Sequence, residues 1–372
     1  MKIAMDARGA NWYNGTGIGT YTSKILKYII RNHKENFYHI YWSGSNYNKL
    51  QQQNTKIIMT SKRQHRFFEQ YYFPVNLRKE NIDIYHIPQN GIGISENIGC
   101  KKIVTIHDLI PYILPETVGK GYLFKFLKEM PKIINSSDGI ITVSNCSKRD
   151  ILKFFPIKED KIFVTPLAAD KKYRPLDKDK CKYKIHANYN IENPFILYIG
   201  GFSPRKNVSS LITAFSKIHK KLDKNYDLII VGSNKDDSDI LKNLSIDLNI
   251  DKNIKFTGFV EEKMMPIFYN ACDIFIYPSL YEGFGLPPLE AMSCGTPVIA
   301  SNISSIPEVV GDGGILINPC DMENFMYSIE ALINDINIRE DLSLKALKQA
   351  NNFSWEKTAE KTIEIYKKVL ES

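Results

Sequence analysis

The residues best suited to chemistry lie in the stretch 277–317, where Glu282 and Glu290 are separated by seven residues. A carboxylate accepts two hydrogen bonds at once, so each of these side chains can bind a pair of adjacent hydroxyl groups. A glycine-containing loop between them leads into Leu286-Pro287-Pro288, which is typical of the first turn of a helix. The unpaired N–H groups of such a turn bind anions. The stretch therefore predicts a site that holds a diphosphate between two hydroxyl-bearing groups.

Two adjacent cations, Arg205 and Lys206, follow the apolar run 195–199 and the glycines Gly200 and Gly201. Arginine offers a planar fork of donors and lysine a compact charge, so together they can neutralise a departing diphosphate. Such a pair in isolation is typical of a solvated surface. Its position after a strand, in a chain that also carries the two glutamates, favours a phosphate site.

The elements that must position these residues are predicted to be parallel strands. In the first half of the chain, apolar runs occur at residues 2–6, 38–42, 56–59, 82–87, 103–106, 139–143 and 162–165. In the second half they occur at residues 195–199, 227–231, 254–257, 273–277, 297–300 and 315–317. Helix-like segments separate many of them, which is the rhythm of doubly wound α/β sheets.

With 372 residues the chain is long enough for two domains. The recurring apolar runs are interrupted at residues 166–194 by a charged stretch. This stretch is the predicted linker. We therefore expect a first domain over residues 1–170 and a second over residues 171–354. A final amphipathic helix is predicted from Trp355 to Leu370.

Composition excludes several classes of protein. Hydrophobic residues make up 43% of the chain and charged residues 24%, as in ordinary globular proteins. No apolar stretch is long enough to span a membrane and no signal peptide is recognisable, so we expect a cytoplasmic location, with the inner face of the cell membrane left open. The six cysteines are widely spaced without a CxxC pair, which indicates reduced packing residues and no zinc site.

The formal charge of +8 is concentrated in the first half, where residues 1–170 carry 24 Lys and Arg against 14 Asp and Glu. No nucleic-acid module accompanies this charge, so we expect no nucleic-acid partner. Segments 62–79 and 120–132 mix cations with aromatic residues and could contact an anionic membrane. We favour the alternative, in which they are half-buried helices with their aromatic residues on the sheet.

Two further candidates follow strands of the first half. The glycine loop at residues 15–19 precedes a helix predicted over residues 20–31, and its glycines would let backbone approach a ligand. His107 and Asp108 directly follow the strand at residues 103–106, at the edge where a parallel sheet binds ligands. Either pattern alone is also typical of an ordinary turn.

The Glu282-x7-Glu290 pattern around Gly-Phe-Gly-Leu-Pro, together with Arg205-Lys206, resembles glycosyltransferase family 4, whose members are retaining enzymes that use nucleotide sugars. The resemblance implies a GT-B fold, with two doubly wound, Rossmann-like domains facing each other across a cleft. It also implies that residues 355–372 return to the first, acceptor-side domain and that residues 171–354 bind the donor.

The same resemblance implies a role for each candidate residue. Glu290 would bind the ribose, Glu282 and His107 the transferred sugar, and Arg205 with Lys206 the leaving diphosphate. The implied catalytic residues are His107, Arg205, Lys206 and Glu282. The implied donor-binding residues are Gly17, Gly19, Gly201, Arg205, Lys206, Val260, Glu282, Gly283, Phe284, Gly285, Leu286 and Glu290. No metal and no cofactor are expected.

The implied reaction moves a hexose from a nucleoside diphosphate sugar to a saccharide or lipid-linked saccharide. The start Asp6-Ala7-Arg8 and the pattern from His107 to Pro111 resemble bacterial mannosyltransferases of surface-polysaccharide assembly, which favours GDP-mannose as donor. The alternatives are a glucosyl or other UDP-hexose transferase, a GT-B nucleotide-sugar epimerase, and a non-catalytic partner of another transferase. The last usually lacks part of the set of two cations and two glutamates that is complete here.

Overall fold

The computed structural model describes residues 1–95, 97–222, 225–233 and 238–372, which divide into two compact units. Unit 1 comprises Met1–Leu167 and Ser354–Ser372, and unit 2 comprises Ala168–Phe353. Each unit contains one sheet in which the paired strands run parallel.

The strands of unit 1 are β1 (Lys2–Asp6), β2 (Phe37–Trp42), β3 (Thr55–Met59), β4 (Ile84–Ile87), β5 (Lys101–Ile106), β6 (Gly139–Thr142) and β7 (Ile162–Val164). Those of unit 2 are β8 (Phe195–Ile199), β9 (Asp227–Val231), β10 (Ile254–Gly258), β11 (Ile274–Tyr277), β12 (Val298–Ser301) and β13 (Ile315–Ile317). Their order is β3-β2-β1-β4-β5-β6-β7 in unit 1 and β10-β9-β8-β11-β12-β13 in unit 2.

The helices, in chain order, are α1 (Gly9–Trp12), α2 (Gly17–Asn32), α3 (His65–Phe67), α4 (Phe73–Lys79), α5 (Ile110–Ile113), α6 (Lys120–Ser136), α7 (Asn145–Phe154), α8 (Lys178–Tyr189), α9 (Val208–Ile218), α10 (Ser238–Asp247), α11 (Met265–Ala271), α12 (Leu286–Ser293), α13 (Ile306–Val310), α14 (Met322–Asn334), α15 (Ile336–Ala350) and α16 (Trp355–Glu371). A π-helical segment, Phe68–Tyr72, joins α3 to α4.

The strand order reverses beside β1 in unit 1 and beside β8 in unit 2. The resulting switch points lie between β1 and β4 and between β8 and β11. In open α/β sheets the crevice beyond the carboxyl ends of such a strand pair binds ligands. The segments that matter for function are therefore the ones that follow β1 and β4 in unit 1, and β8 and β11 in unit 2.

The predicted architecture of two doubly wound parallel sheets is confirmed. The strands form where the apolar runs were predicted, because side chains on both faces of a central parallel strand are buried. Every residue of β4, β6, β11 and β12 is buried. Helix α16 belongs to unit 1, where the Tyr366 hydroxyl lies 2.6 Å from His86 Nδ1 of β4.

Two local predictions were wrong. Helix α2 begins at Gly17, not at residue 20, because Thr16 caps it by accepting a hydrogen bond from the Gly19 N–H. The expected linker at residues 166–194 contains α8. Its charged sequence lacks an apolar stripe, since only Cys181 and Ile185 are buried along its length.

The two segments that mix cations with aromatic residues are only partly buried. In α6, Phe126 is packed in the core whereas Tyr122 and Phe124 are exposed, Phe124 by 73%. Around the π-helical segment, Phe73 is buried and Phe67 and Tyr71 are exposed. No helix in the described residues is long and apolar enough to cross a membrane.

Candidate active site

Glu282 is the centre of a buried polar cluster at the switch point of unit 2. Lys206 Nζ lies 2.5 Å from Glu282 Oε1, and Arg205 Nη1 donates to the same oxygen at 3.0 Å. The Tyr277 hydroxyl accepts from Lys206 Nζ at 2.7 Å and donates to Glu282 Oε1 at 3.0 Å. The structure thus brings together the two cations and the glutamate that the sequence placed 76 residues and more apart.

The cluster keeps Glu282 ionised. Burial alone would raise the pKa of this carboxyl, but Lys206 and Arg205 lower it to about 2. Lys206 and Glu282 are 9% and 8% exposed, so bulk solvent screens their interaction weakly. At neutral pH the site holds two cations against one carboxylate.

The backbone positions the cluster through the two loops that follow β8 and β11. Arg205 and Lys206 form a single turn after β8, and the Arg205 carbonyl accepts from Leu280 N–H at 2.7 Å. Ser304 exchanges hydrogen bonds with the Glu282 backbone, donating to its carbonyl at 2.6 Å and accepting from its N–H at 2.9 Å. Ser305 also donates to the Glu282 carbonyl, at 2.8 Å. The loop that carries Glu282 is therefore fixed from both sides.

Glu290 has a different environment on α12. Its Oε2 accepts a hydrogen bond from the Tyr269 hydroxyl at 3.0 Å, and the Tyr173 hydroxyl interacts with the same carboxyl. Burial raises the pKa of Glu290 to about 7, against the smaller lowering effect of these hydroxyls. Near neutral pH Glu282 is therefore ionised whereas Glu290 is only partly ionised, although both belong to one motif.

The remaining donor-binding candidates of unit 2 lie between the two glutamates or in the segments that follow β8 and β10. Gly285 has φ of 119°, and a Cβ there would lie 2.9 Å from Ile306 Cδ1, so only glycine suits the turn into α12 at Leu286. Gly283 and Phe284 are buried. Val260 after β10 is also buried, whereas Gly201 after β8 is exposed.

In unit 1, Gly17 and Gly19 lie in the first turn of α2 and not in a free loop. A Cβ on Gly19 would lie 2.2 Å from the Tyr13 carbonyl oxygen. The close approach of the chain explains this glycine without a ligand. Gly17 is exposed at the helix start.

His107 is a buried, neutral imidazole in unit 1. Its Nε2 is 2.9 Å from the Pro88 carbonyl oxygen, and because a carbonyl only accepts, Nε2 carries the proton. Burial lowers the pKa of His107 to about 4. Its main chain is fixed by Asn90 and Ser147, and the Tyr21 ring packs edge-on against the imidazole at 4.9 Å. Neutral His107 thus presents Nδ1 as a hydrogen-bond acceptor.

Comparison with known proteins agrees with this geometry. Residues 182–349 match the family model "Glycosyl transferases group 1", and residues 16–173 match "Glycosyltransferase Family 4". The chain is 35% identical over 267 residues to O-antigen chain mannosyltransferase B of Escherichia coli, covering 72% of this chain and 70% of that protein. The chain belongs to glycosyltransferase family 4. It is an enzyme of the glycosyltransferase class.

Two further comparisons concern a longer relative and a fold neighbour. The chain is 29% identical to the serotype-specific mannosyltransferase WbdA of Escherichia coli over 75% of its own length, but it spans only 35% of that longer protein. Anabaena HepE, solved with UDP and glucose, is 18% identical with a TM-score of 0.75 and 98% coverage of both chains. Together with the two sheets described above, such neighbours show that this family 4 glycosyltransferase has the GT-B fold.

Sequence reasoning missed several residues of this glycosyltransferase site. Tyr277 was predicted only as a buried strand residue, yet its hydroxyl links Lys206 to Glu282. Ser304 and Ser305 lie more than 20 residues from the carboxylate whose loop they hold. The position of Tyr277 at the last residue of β11, at the ligand-binding edge, was the available signal.

Within residues 1–95, 97–222, 225–233 and 238–372, no group of three or more His, Cys, Asp or Glu side chains is arranged to hold a metal ion. The positive charge around Glu282 in this family 4 enzyme comes from protein side chains.

Proposed function

We propose that the protein transfers mannose from GDP-mannose, with retention at the anomeric carbon, to a saccharide or lipid-linked saccharide during synthesis of a cell-surface polysaccharide. The observation that carries the proposal is the convergence of Arg205 and Lys206 on Glu282 at the switch point of unit 2. The relationship to an O-antigen chain mannosyltransferase supports mannose and the polysaccharide pathway.

The charge of the cluster suits a departing nucleoside diphosphate. Two cations against one carboxylate leave a net positive charge that can face the phosphates. This charge stabilises the diphosphate more strongly as the bond to the sugar breaks, because negative charge then builds up on the phosphates. Arg205 and Lys206 already have their orientation fixed by Glu282 and Tyr277, so little reorganisation is needed. No metal is required in this proposal, because the two side chains supply the positive charge.

Glu282 is better suited to bind sugar hydroxyls than to attack the sugar. A carboxylate with a pKa of about 2, whose Oε1 accepts from three donors, is a weak base and a weak nucleophile. This favours a front-face mechanism in which a departing phosphate oxygen takes the proton of the acceptor hydroxyl. Glu290 is proposed to bind the ribose, and Nδ1 of His107 to accept a hydroxyl of the transferred sugar.

The test is a donor panel. GDP-mannose, UDP-glucose, UDP-galactose and UDP-N-acetylglucosamine are each added to the purified protein with and without EDTA, and Tm and donor hydrolysis are measured. GDP-mannose should raise Tm and be hydrolysed regardless of EDTA, and the Tm shift should be lost in Glu290→Ala. No response to any donor would contradict the proposal and favour a non-catalytic partner.

Transfer of a UDP-linked hexose is the second candidate. It is favoured by the complex of the fold neighbour HepE with UDP and glucose. The same panel separates the two, since a response to UDP-glucose and not to GDP-mannose would replace mannosyl transfer by glucosyl transfer. A changed nucleotide sugar in the absence of acceptor would indicate an epimerase.

We also propose that unit 1 contacts an anionic membrane through α6. Phe124, Tyr122 and Leu127 are exposed on this helix, which also carries Lys125 and Lys128. Exposed aromatic residues beside lysines suit the interface of an anionic bilayer. Sedimentation with vesicles of phosphatidylglycerol should capture the protein, and Lys125→Glu with Lys128→Glu should abolish capture. Equal capture by vesicles of phosphatidylcholine alone would contradict the electrostatic part.

A further inference from the structure

A second buried polar cluster occupies the switch point of unit 1. Arg8, which follows β1, forms a bidentate pair with Asp6, with Nε to Oδ1 at 2.7 Å and Nη2 to Oδ2 at 2.6 Å. The same Nη2 is 2.9 Å from Glu69 Oε1. The guanidinium carbon lies 4.5 Å from the ring centre of Trp12 and 5.0 Å from that of Phe73. Arg8 and Asp6 are fully buried.

Burying the charges of Arg8 and Asp6 completely, with Glu69 only 16% exposed beside them, is costly, so such a cluster needs a reason. Its surroundings are also unusual, because Glu69 lies in the π-helical segment Phe68–Tyr72, and π-helical turns are frequent at functional sites. Gly93, with φ of 96°, lies so close that a Cβ there would be 2.7 Å from Glu69 Oε1. The chain is therefore folded tightly around a polar interior.

Several polar atoms of this interior have no partner in the described part of the protein. They include Arg8 Nη1, Tyr85 Oη, Trp12 Nε1 and both amide atoms of Gln89. Gln89 follows β4, is 2% exposed, and its Oε1 would lie 3.0 Å from a Cβ on Gly9, the residue after Arg8. Buried polar atoms are nearly always hydrogen-bonded, so a group of unpaired donors and acceptors at a switch point indicates a ligand.

The charges of the cluster restrict the chemistry of that ligand. Asp6 and Glu69 outweigh Arg8 when both are ionised, and the pKa of Glu69 is raised by burial, so its protonation would bring the cluster only to neutrality. A phosphate or carboxylate would therefore meet no net positive charge. Hydroxyl groups both donate and accept, which matches the mixture of Arg8 Nη1, Gln89 Nε2 and Gln89 Oε1.

We infer that Gln89 and Arg8 recognise the acceptor as a neutral, hydroxyl-bearing sugar and discriminate against an anionic group. The inference rests on the proposed function, because it names the acceptor class of that same reaction. It assigns specificity to two residues of unit 1 that lie outside the sugar-nucleotide cluster of unit 2.

The test measures binding, which does not depend on turnover. Methyl α-mannobioside is titrated into the protein by saturation-transfer NMR, with inorganic phosphate and mannose 6-phosphate as competitors. Gln89→Leu should weaken mannobioside binding about tenfold, the value of about two neutral hydrogen bonds, and leave Tm unchanged or raised, because no internal hydrogen bond is removed. Neither phosphate compound should displace the mannobioside.

Gln349→Leu is the matched control, since the Gln349 amide donates to the Val309 carbonyl at 3.0 Å in unit 2. It should lower Tm and keep mannobioside affinity. Three binding results would overturn the inference: no binding of mannobioside by the parent, binding by Gln89→Leu within twofold of the parent, or competition by phosphate. A loss of Tm in Gln89→Leu as large as that in Gln349→Leu would overturn it as well. GDP-mannose binding by the parent is measured separately, and its absence would overturn the proposed function instead.

Discussion

Replacing Lys206 by methionine should separate the proposed catalytic role of this cation from its structural role. Methionine keeps most of the length of the buried side chain and removes the ammonium group, whose Nζ lies 5.1 Å from the centre of the Tyr277 ring. If Lys206 stabilises the departing diphosphate, its loss should cost about 3–4 kcal/mol in the transition state. Turnover should then fall by roughly 10²–10³-fold.

The stability cost of the same change can be worked from Glu282. The pKa of this carboxyl is about 2 in place of 4.5, which corresponds to roughly 3 kcal/mol of stabilisation at neutral pH, shared between Lys206 and Arg205. Because the pKa of Glu282 is lowered on folding, its carboxylate stabilises the folded state fully at pH values above 4.5. This contribution is lost as the pH falls through about 2. At pH 7, Lys206→Met should therefore lose about 2 kcal/mol, or roughly 4–8 °C in Tm.

Lys178→Met provides a matched control at the opposite edge of the same sheet. Lys178 Nζ is 2.7 Å from Oδ1 of buried Asp273, which precedes β11, so this variant also removes a cation from a buried carboxylate. It should also lower Tm, but by less than Lys206→Met, because Lys178 is 46% exposed and solvent screens its ion pair. Turnover should stay within about twofold of the parent. Release of GDP from GDP-mannose, measured below both transition temperatures, is the assay. A Lys206→Met enzyme no slower than Lys178→Met would refute the role of Lys206.

Three further predictions follow from the site. Gly201→Ala should keep the parent Tm, because apart from its own chain neighbours no heavy atom of the described residues lies within 4 Å of the added methyl. It should raise the KM for donor at least tenfold, and an unchanged KM would remove Gly201 from the proposed phosphate site. Because burial raises the pKa of Glu290 to about 7, its protonated form stabilises the fold fully below pH 4.5, and this stabilisation is lost as the pH rises through about 7. Glu290→Gln should therefore have a higher Tm than the parent above pH 7 and the same Tm near pH 5. His107, whose pKa burial lowers to about 4, should show no NMR titration between pH 5.5 and 8, whereas a midpoint near 6.5 would contradict its neutral state.

The strands were predictable because burial on both faces requires long apolar runs, and loops at their carboxyl ends carried the recognisable charged residues. Helix α8 was missed because its buried surface is limited to two side chains, which gives no periodic signal. The start of α2 was missed although Thr16 has the residue type of a helix cap, because the glycines around it were interpreted as a loop.

The candidate site shows where sequence reasoning stops. The glutamate spacing identified two carboxylates but could not show that one is held at a pKa of about 2 and the other near 7. That difference comes from neighbours brought in by the fold: Lys206 and Arg205 beside Glu282, and the Tyr269 hydroxyl beside Glu290. A pattern fixes the residue types, whereas their charge states depend on contacts between distant segments.

The polar clusters at the two switch points carry net charges of opposite sign. In unit 2, two cations face one carboxylate, and the excess positive charge suits a diphosphate. In unit 1, two carboxylates face one cation, which leaves no positive charge for an anion. The same sheet topology thus presents opposite electrostatics at its two ligand edges. Adding a cation with Gln89→Lys and removing an anion with Glu69→Gln would give this cluster a net charge of +1. The double variant should therefore admit mannose 6-phosphate where the parent excludes it, and continued exclusion would show that shape, not charge, sets the selection.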